Sequence, residues 1–202
     1  LFIHGNYPGQ FKHLCTQIGG AKTHRIIFMT GNSDIKESGM ENIALVHFKK
    51  HREVNPSTHT YLQSTEEAVL QGQAVIRAMN EVMAEGFNPK LVIFHGGMGL
   101  GLFLRHLLPN SVLIGYFEWW FKPETTKNLV QDYDFNQQLT SGMRNLPILK
   151  EIEICNTAVI PTQWQKDQFP EVIQNKLNVI FDGIDTSFFH EPPEGVDNDK
   201  LV

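Results

Sequence analysis

Residues 179–189 read Val-Ile-Phe-Asp-Gly-Ile-Asp-Thr-Ser-Phe-Phe, a short β-branched and aromatic run that stops at an Asp-Gly pair. The run predicts a buried strand, and Gly183 supplies the backbone freedom that a turn at the end of this strand requires. Asp182 and Asp185 can accept hydrogen bonds from nearby backbone amides in the turn. The segment therefore predicts a strand that leaves the protein core through a tight turn.

Apolar runs of the same kind recur along the chain, and segments with helical spacing separate them. Strands are predicted over 1–4, 25–30, 43–48, 90–95, 112–117, 157–160 and 177–181. Helices are predicted over 11–18, 66–85 with Ser64 or Thr65 as the cap, 99–108, 146–155 and 162–168, and 122–141 is predicted to be irregular or partly helical. Because continuous apolar strands between helices favour right-handed β-α-β units, we predict an α/β, Rossmann-like fold with helices on both faces of a parallel sheet.

Composition limits the classes of protein to consider. The chain has 202 residues, 41% of them hydrophobic and 19% charged, which fits one folded domain. Its net charge of -5 argues against nucleic acid as a partner, and its only dense basic run, 49–52, is predicted to be a solvated strand exit. The isolated Cys15 and Cys155 favour a reducing compartment, and no apolar run reaches the ~18 residues of a membrane span. Residues 1–4 lack the features of a signal peptide. We therefore predict a cytoplasmic protein.

Parallel sheets bind ligands at the carboxyl ends of their strands, and two predicted strand exits are rich in glycine. The first, His-Gly-Asn-Tyr-Pro-Gly-Gln at 4–10, can bring backbone amides close to an anionic or hydroxyl-rich ligand, or can be an ordinary turn. The second, His-Gly-Gly-Met-Gly-Leu-Gly at 95–101, allows either a ligand or a closely packed helix to approach the backbone. His95 is then a hydrogen-bonding group, a general base or a satisfied buried histidine.

A third predicted strand exit, Gly-Tyr-Phe-Glu-Trp-Trp-Phe at 115–121, places one acid among five aromatic residues. Aromatic faces stack on sugar rings, and they also form cores and interfaces. A carboxyl group among aromatic rings is expected to have a raised pKa, which suits proton transfer. The alternative is a core aromatic patch in which Glu118 pairs with an arginine. Trp119 and Trp120 are bulky enough that their exposure would indicate a binding surface.

These three segments, together with Pro-Thr-Gln-Trp-Gln at 161–165 and Asp-Gly-Ile-Asp at 182–185, resemble in order the N-terminal domain of a bacterial subgroup of family-4 glycosyltransferases of the GT-B type. The resemblance spans nearly the whole chain. It implies two Rossmann-like domains that face each other across a cleft, the first mainly for the acceptor and the second for the nucleotide-sugar, usually through a Glu-x7-Glu motif. It also implies transfer with retention, with the nucleotide-sugar as co-substrate and neither a metal nor a tightly bound cofactor.

The resemblance also implies roles for individual residues. His95 would line the acceptor cleft, and Glu118 would lie where many family-4 members place a histidine near the reacting sugar. We therefore expect both to be catalytic, with Glu118 orienting a hydroxyl or belonging to the acceptor pocket. The residues expected to bind substrate are Gly5, Asn6, Gly9, Gln10, Gly97, Tyr116, Trp119, Trp120, Asp182 and Asp185.

The resemblance further implies that residues 1–186 form the acceptor-side domain and that 187–202 begin an interdomain linker, with the donor-binding domain absent. The chain alone would then be inactive. Expected acceptors are a carbohydrate, a lipid-linked sugar or a protein, as in polysaccharide biosynthesis, and a peripheral membrane contact is a further expectation. Two other functions stay open. An NAD(P)-dependent oxidoreductase would need a third glycine after Gly97-x-Gly99, where the chain has Leu102. A non-catalytic carbohydrate-binding module would use the aromatic patch by itself.

Overall fold

The computed structural model describes residues 1–127 and 133–189. At its centre is a seven-stranded sheet in the order β3-β2-β1-β4-β5-β6-β7, with every neighbouring pair parallel. The strands are β1 (Phe2–His4), β2 (Ile26–Thr30), β3 (Ile43–His47), β4 (Leu91–His95), β5 (Val112–Tyr116), β6 (Thr157–Ile160) and β7 (Leu177–Val179). All seven predicted strands are present within two residues of their predicted ends. The α/β, Rossmann-like fold is therefore confirmed.

Helices connect these strands. Within the described ranges they are α1 (Lys12–Gly20), α2 (Gln63–Ala84), α3 (Leu104–Leu107), α4 (Pro123–Thr126), α5 (Phe135–Met143), α6 (Asn145–Ile154), α7 (Gln163–Gln168) and α8 (Glu171–Gln174). The helix predicted over 99–108 shortens to α3, because turns occupy the glycine-rich residues before it. Part of the predicted irregular segment, 128–132, lies outside the described residues.

The sheet is covered by helices on both faces, as predicted. Successive residues of a strand point to opposite faces, so Ile27 and Phe28 of β2 belong to different hydrophobic clusters. The larger cluster packs β1, β2 and β4–β7 against α2 and α6. The smaller cluster packs β1, β2 and β3 against Cys15 of α1. Both cysteines of the chain are free and buried. In the described part of the chain, no helix combines the length and the apolar character that a membrane span requires.

The start of α2 differs from the prediction. Neither Ser64 nor Thr65 caps the helix, and their buried hydroxyls have no hydrogen-bond partner among the described residues. A 3-10 turn at Thr60–Leu62 runs directly into α2, so the cap lies earlier, where the His59 side chain accepts a bond from the amide of Tyr61. The capping side chain is thus His59, before the turn, and not the hydroxyl of Ser64 or Thr65 that the sequence predicted.

The basic run forms ion pairs with the acids around the start of α2. Lys50 Nζ lies 2.8 Å from Glu67 and 2.6 Å from Glu53, and Arg52 pairs with Glu66 at 2.5 Å. Arg52 is the more exposed of the two cations, and the Lys50 side chain is mostly buried. The run is therefore only partly solvated, because Lys50 and Arg52 are held by nearby acids.

The last strand is shorter and more exposed than predicted. β7 ends at Val179, although the amide of Ile180 still donates to the carbonyl of Ile160 at 2.9 Å. Ile180 and Phe181 are 57% and 64% exposed, so the prediction of a buried run was wrong. Because β7 is an edge strand, it has a neighbour on one side only. Gly183 has the positive φ (+80°) that a turn can require, but the turn lies later, at 186–188, so the prediction of a tight turn at 182–185 was wrong. Most of the predicted linker, 190–202, lies outside the described residues.

Candidate active site

The strand order reverses direction at β1, which lies between β2 and β4. A crevice forms at the carboxyl ends of the strands on such a switch point and is the usual ligand site of an open parallel sheet. His4 ends β1, His95 ends β4, and Glu118 follows two residues after β5. The imidazole centroids of His4 and His95 are 4.6 Å apart. The structure therefore brings the three predicted strand exits together.

A chain of hydrogen bonds links these exits. The amide of Asn6 donates to Nδ1 of His4 at 2.8 Å, so Nε2 of His4 carries the proton and donates to Oε1 of Gln10 at 2.7 Å. The Gln10 side-chain amide then donates to both carboxylate oxygens of Glu118, at 3.1 Å each. On the other side, Nε2 of His95 donates to Oε2 of Glu118 at 2.9 Å. Glu118 is the acceptor at the centre of this network.

The donors around Glu118 decide its charge. The hydrogen bond from His95 lowers the pKa of the Glu118 carboxyl, and the bond from Gln10 adds to that effect, whereas partial burial opposes it. The expectation of a raised pKa was therefore wrong, because donors from distant segments outweigh the aromatic residues beside Glu118 in sequence. The side chain is 36% exposed. Glu118 is thus an ionised acceptor that can orient a hydroxyl of a ligand.

The two histidines lie beneath this carboxylate. His95 is 7% exposed and His4 is 5% exposed. The Nδ1 atom of His95 is buried without a hydrogen-bond partner among the described residues, while its Nε2 is bonded to Glu118. Burial, and then the neighbouring His95, lower the pKa of His4, which favours its neutral form. The geometry makes Glu118 the member of the His95–Glu118 pair that faces solvent.

Tyr116 and Asp182 form a second contact at this edge of the sheet. The Tyr116 hydroxyl donates to the Asp182 carboxylate, with oxygen–oxygen distances of 2.8 and 3.0 Å. The ring of Tyr116 is buried in the smaller cluster, and burial raises the pKa of its hydroxyl. Asp185 instead accepts from the amide of Ser187 at 3.0 Å, within its own turn. Asp182 is therefore close to the Glu118 group, whereas Asp185 bonds only locally.

The two adjacent tryptophans have different environments. Trp120 is 9% exposed and packs against Phe169, with ring centroids 5.3 Å apart. Trp119 is half-buried, and its ring lies 6.4 Å from that of Trp164, which is 56% exposed. Gln165 holds this region together, because its side-chain amide donates to the carbonyl of Glu118 at 3.0 Å. Trp119 and Trp164 are thus the tryptophans that a ligand at this edge can reach.

The glycine-rich loop after β4 is closely packed. A Cβ added at Gly99 would lie 2.2 Å from the carbonyl oxygen of Ala68 in α2, and the φ of Gly99 is +87°. One added at Gly96 would lie 2.2 Å from the ring of Phe117. The amide of Gly97 donates to the Glu151 carboxylate at 2.6 Å. The loop glycines therefore allow close packing of the helix and the sheet. This is one of the two alternatives that the sequence left open, the other being the approach of a ligand to the backbone.

Gly5, Asn6 and Gly9 form the loop between β1 and α1. A Cβ added at Gly9 would lie 2.7 Å from the imidazole of His4, and the φ of Gly9 is +54°. Glycine at this position thus leaves room for the ring that holds Gln10. Asn6 is exposed, and its amide fixes the tautomer of His4. These residues shape the crevice through the backbone.

The sequence reasoning missed three residues at or behind this site: His4, Gln165 and Glu151. His4 ends its strand just as His95 does, which is a signal that the sequence offers. Glu151 lies on the same face of α6 as Ile148 and Ile152, at the i, i+3, i+4 spacing of a buried stripe. No group of three His, Cys, Asp or Glu residues in the described ranges is arranged to hold a metal ion.

Sequence comparison identifies the family. Residues 22–189 match the glycosyl transferase family 4 group. The match covers most of the chain, which therefore belongs to this family. No curated protein matches the sequence.

Structural comparison supports the fold. A UDP-glucosyltransferase from Polygonum tinctorium, capable of glucosylating indoxyl, is 8% identical with a TM-score of 0.52, over 89% of this chain and 50% of that one. UGT2 from Phytolacca americana, complexed with UDP-2-fluoro-glucose and pterostilbene, is 10% identical (TM-score 0.46; coverage 80% and 47%). CalG4, the calicheamicin glycosyltransferase, is 15% identical (TM-score 0.48; coverage 89% and 52%). The fold comparison rests on the Polygonum enzyme, whose TM-score is above 0.5. The chain spans about half the length of these proteins.

Proposed function

We propose that this chain is the acceptor-side half of a retaining glycosyltransferase of the GT-B type, which transfers a sugar from a nucleotide-sugar to an acceptor. Family membership supports sugar transfer, and the match to half the length of a UDP-glucosyltransferase of similar fold fits one half of a longer enzyme. In this proposal residues 1–186 form the acceptor domain and 187–202 begin the linker. A carbohydrate, a lipid-linked sugar and a protein are the acceptor classes to test.

The observation that carries this proposal is the ionised Glu118 at the crevice between β1 and β4. Its carboxylate is fixed by His95 and Gln10, and the side chain as a whole is 36% exposed. A carboxylate is a strong acceptor for sugar hydroxyls, and a fixed one can orient the attacking hydroxyl of an acceptor. Trp119 and Trp164 beside it offer rings on which the apolar face of a sugar can stack.

Glu118, in this mechanism, binds and orients the acceptor and has no role as a proton donor. Its lowered pKa makes it a weak base and leaves it without a proton at neutral pH. His95 acts through Glu118, because its Nε2 proton is already bonded to that carboxylate. Both residues remain the expected catalytic pair, with Glu118 as the group that touches the substrate.

A transfer assay tests the proposal. The longer protein that contains this chain is incubated with UDP-, GDP- and ADP-sugars and a panel of acceptors, and the anomeric configuration of each product is read by NMR. We expect transfer with retention by the longer protein and none by residues 1–202 alone. An inverted product would contradict the retaining mechanism, and turnover by the 202-residue chain would contradict the assignment of this chain as half of the enzyme.

The domain assignment has a separate test. Sequencing the source transcript past the codon for Val202 should reveal about 150 to 200 further codons with a second Rossmann-like pattern and a Glu-x7-Glu motif. A stop codon directly after Val202 would require a separate partner chain, and the carbohydrate-binding module would then be the better proposal.

A further inference from the structure

Helix α6 carries two buried polar side chains in an otherwise apolar packing surface. Glu151 is 0% exposed and Asn145 is 7% exposed, and the buried Ile148 and Ile152 lie between and beside them. Burying a charge or an amide costs free energy unless hydrogen bonds compensate for the lost water. The partners of these two side chains therefore show what the helix holds in place.

Glu151 binds the glycine-rich loop after β4. Its Oε2 accepts from the amide of Gly97 at 2.6 Å and its Oε1 accepts from the amide of Gly101 at 2.7 Å. Glu151 takes part in no ion pair among the described residues. A single carboxylate thus holds the loop at both Gly97 and Gly101.

This loop is continuous with the strand end that carries His95. The next residue, Gly96, donates its amide to the carbonyl of Tyr116 at 2.7 Å, which joins the exit of β4 to the exit of β5. Glu151 holds the residue after that, Gly97. The two residues that follow His95 are therefore both held by hydrogen bonds. Gly96 is bonded to β5, and Gly97 is bonded to α6.

Asn145 binds the exit of β5. Its Oδ1 accepts from the amide of Phe121 at 2.9 Å, and its Nδ2 donates to the carbonyl of the same residue at 2.9 Å. Phe121 lies three residues after Glu118. One helix therefore makes side-chain bonds to the backbone of both segments that present the His95–Glu118 pair.

We propose that α6 sets the geometry of the His95–Glu118 pair, with Glu151 and Asn145 as positioning residues. Neither side chain bonds to His95 or Glu118, and each acts through the backbone of a strand exit. The effect on sugar transfer rests on the proposed function, whereas the positioning itself can be tested without any sugar.

The first test is amide hydrogen exchange in Glu151→Gln, with Glu153→Gln as the matched control. Glu153 lies on the same helix, but its side chain is exposed and bonds to Lys150, so its variant makes the same substitution without touching the loop. An amide side chain in place of the carboxylate leaves at least one loop amide without an acceptor. We expect exchange of Gly97 and Gly101 to accelerate about 10- to 100-fold in E151Q alone. The amides of β2 and β3 should keep their rates.

The second readout is the pKa of the Glu118 carboxyl, measured by carbon-13 NMR titration. This pKa would not change if α6 contributed only to the stability of the fold. Loosening of the β4 exit weakens the bond from His95, so the pKa of Glu118 should rise in E151Q and stay unchanged in E153Q. Equal acceleration of exchange throughout the sheet, or a Glu118 titration identical in the two variants, would overturn the proposal.

A second variant keeps the proposal testable if E151Q does not fold. In Asn145→Leu the side chain keeps its approximate size, but it can neither accept from the amide of Phe121 nor donate to its carbonyl, and it adds no charge. We expect faster exchange of the Phe121 amide and a raised pKa of Glu118, with Gly97 unaffected. An unchanged Glu118 titration in folded N145L would overturn the proposal. A longer protein that shows no sugar transfer would refute the proposed function while leaving these results intact.

Discussion

Two donor side chains from distant segments converge on the Glu118 carboxylate, and they determine its chemistry at the scale of single residues. Gln10 comes from the loop after β1, and His95 comes from the end of β4. The aromatic residues on either side of Glu118 in sequence point to a raised pKa, yet the hydrogen bonds from His95 and Gln10 lower the pKa of this carboxyl. The charge state depends on contacts across 23 and 108 residues of sequence, which local composition cannot report.

Removing the His95 donor should raise the pKa of Glu118. His95→Phe keeps an aromatic ring in the buried space but lacks Nε2–H, so the carboxyl moves toward its ordinary value of 4.5. The ionised form of Glu118 stabilises the fold above that value, and the contribution is lost as pH falls through the lower folded pKa. A carbon-13 titration measures the change. His24→Phe, which replaces an exposed histidine, is the control and should leave Glu118 unchanged.

Glu151 should make stability depend on pH in the opposite direction. Burial raises its pKa from 4.5 to about 7, so the folded state holds this proton more tightly than the unfolded chain. The contribution to the free energy of unfolding is therefore present in full below about pH 4.5, and about 3 kcal/mol is lost as pH rises to about 7. The Cys155 thiol, directly after this helix, stays protonated throughout, because burial raises its pKa to about 12.

Urea unfolding of E151Q and E153Q between pH 5 and 8 checks this dependence. The Glu151→Gln variant should lose the fall in stability between pH 5 and 7 that the unaltered protein shows. Glu153→Gln should keep it, because the Lys150 ion pair lowers the pKa of Glu153 and moves its titration below that range. An unchanged slope in E151Q would show that another group titrates there.

At the scale of elements, the glycine-rich loop is where α2 meets the sheet. Gly99 lies against the backbone of Ala68, and Gly101 lies against the ring of Phe94. The Gly72 backbone on α2 in turn faces the carbonyl of Gly99, at 2.7 Å from an added Cβ. Glycine at these positions allows the helix to approach the strand exit that carries His95.

Substitution of Gly99 tests this packing. In Gly99→Ala the new methyl group meets backbone atoms at 2.2 to 2.5 Å, and the φ of +87° adds strain. We expect a loss of about 3 kcal/mol or more in the free energy of unfolding. The control is Gly142→Ala in α5, where an added Cβ has no neighbour within 4 Å. This change should stabilise by about 0.5–1 kcal/mol, and a comparable loss in both variants would contradict the packing argument.

The elements themselves were largely predictable from sequence, because strand and helix periodicity are local properties. The strand at 157–160 and the helix α6 follow directly from their apolar patterns. The predictions from sequence were wrong where a contact with another part of the fold determines the local structure. The cap of α2 depends on the preceding turn, and the exposure of Phe181 depends on its position beside an edge strand. The helical spacing of Glu151 with Ile148 and Ile152 indicates a buried position, but only the structure shows the amides that Glu151 binds.

At the scale of the whole molecule, the parallel topology gathers the candidate site. Because all seven strands point the same way, the exits of β1, β4 and β5 share one edge of the sheet, and the sequence was sufficient to predict that. Sequence could not predict which side chains meet there. Glu118, His95 and Gln10 converge, whereas Trp120 turns into the core and Asp185 bonds within its own turn.

The bond between Tyr116 and Asp182 joins the far end of the chain to this edge. Tyr116→Phe removes the hydroxyl while the ring keeps its packing, so we expect a loss of about 1 kcal/mol and faster proteolytic cleavage within 180–189. Tyr7→Phe is the control, because it removes a hydroxyl bond to Ser38 in a different part of the fold. Cleavage at 180–189 that rises equally in both variants would show that Tyr116 does not hold this segment.

The most direct test of the account is the kcat/KM for sugar transfer by the longer protein carrying Glu118→Gln. Glutamine keeps the size of the side chain and removes the charge that His95 and Gln10 hold in the crevice. We predict a fall of about 100-fold, with stability near that of the unaltered protein. Glu81→Gln, on the exposed face of α2, should stay within about twofold. Activity of E118Q within about threefold of the unaltered protein would contradict the assignment of this crevice as the site of transfer.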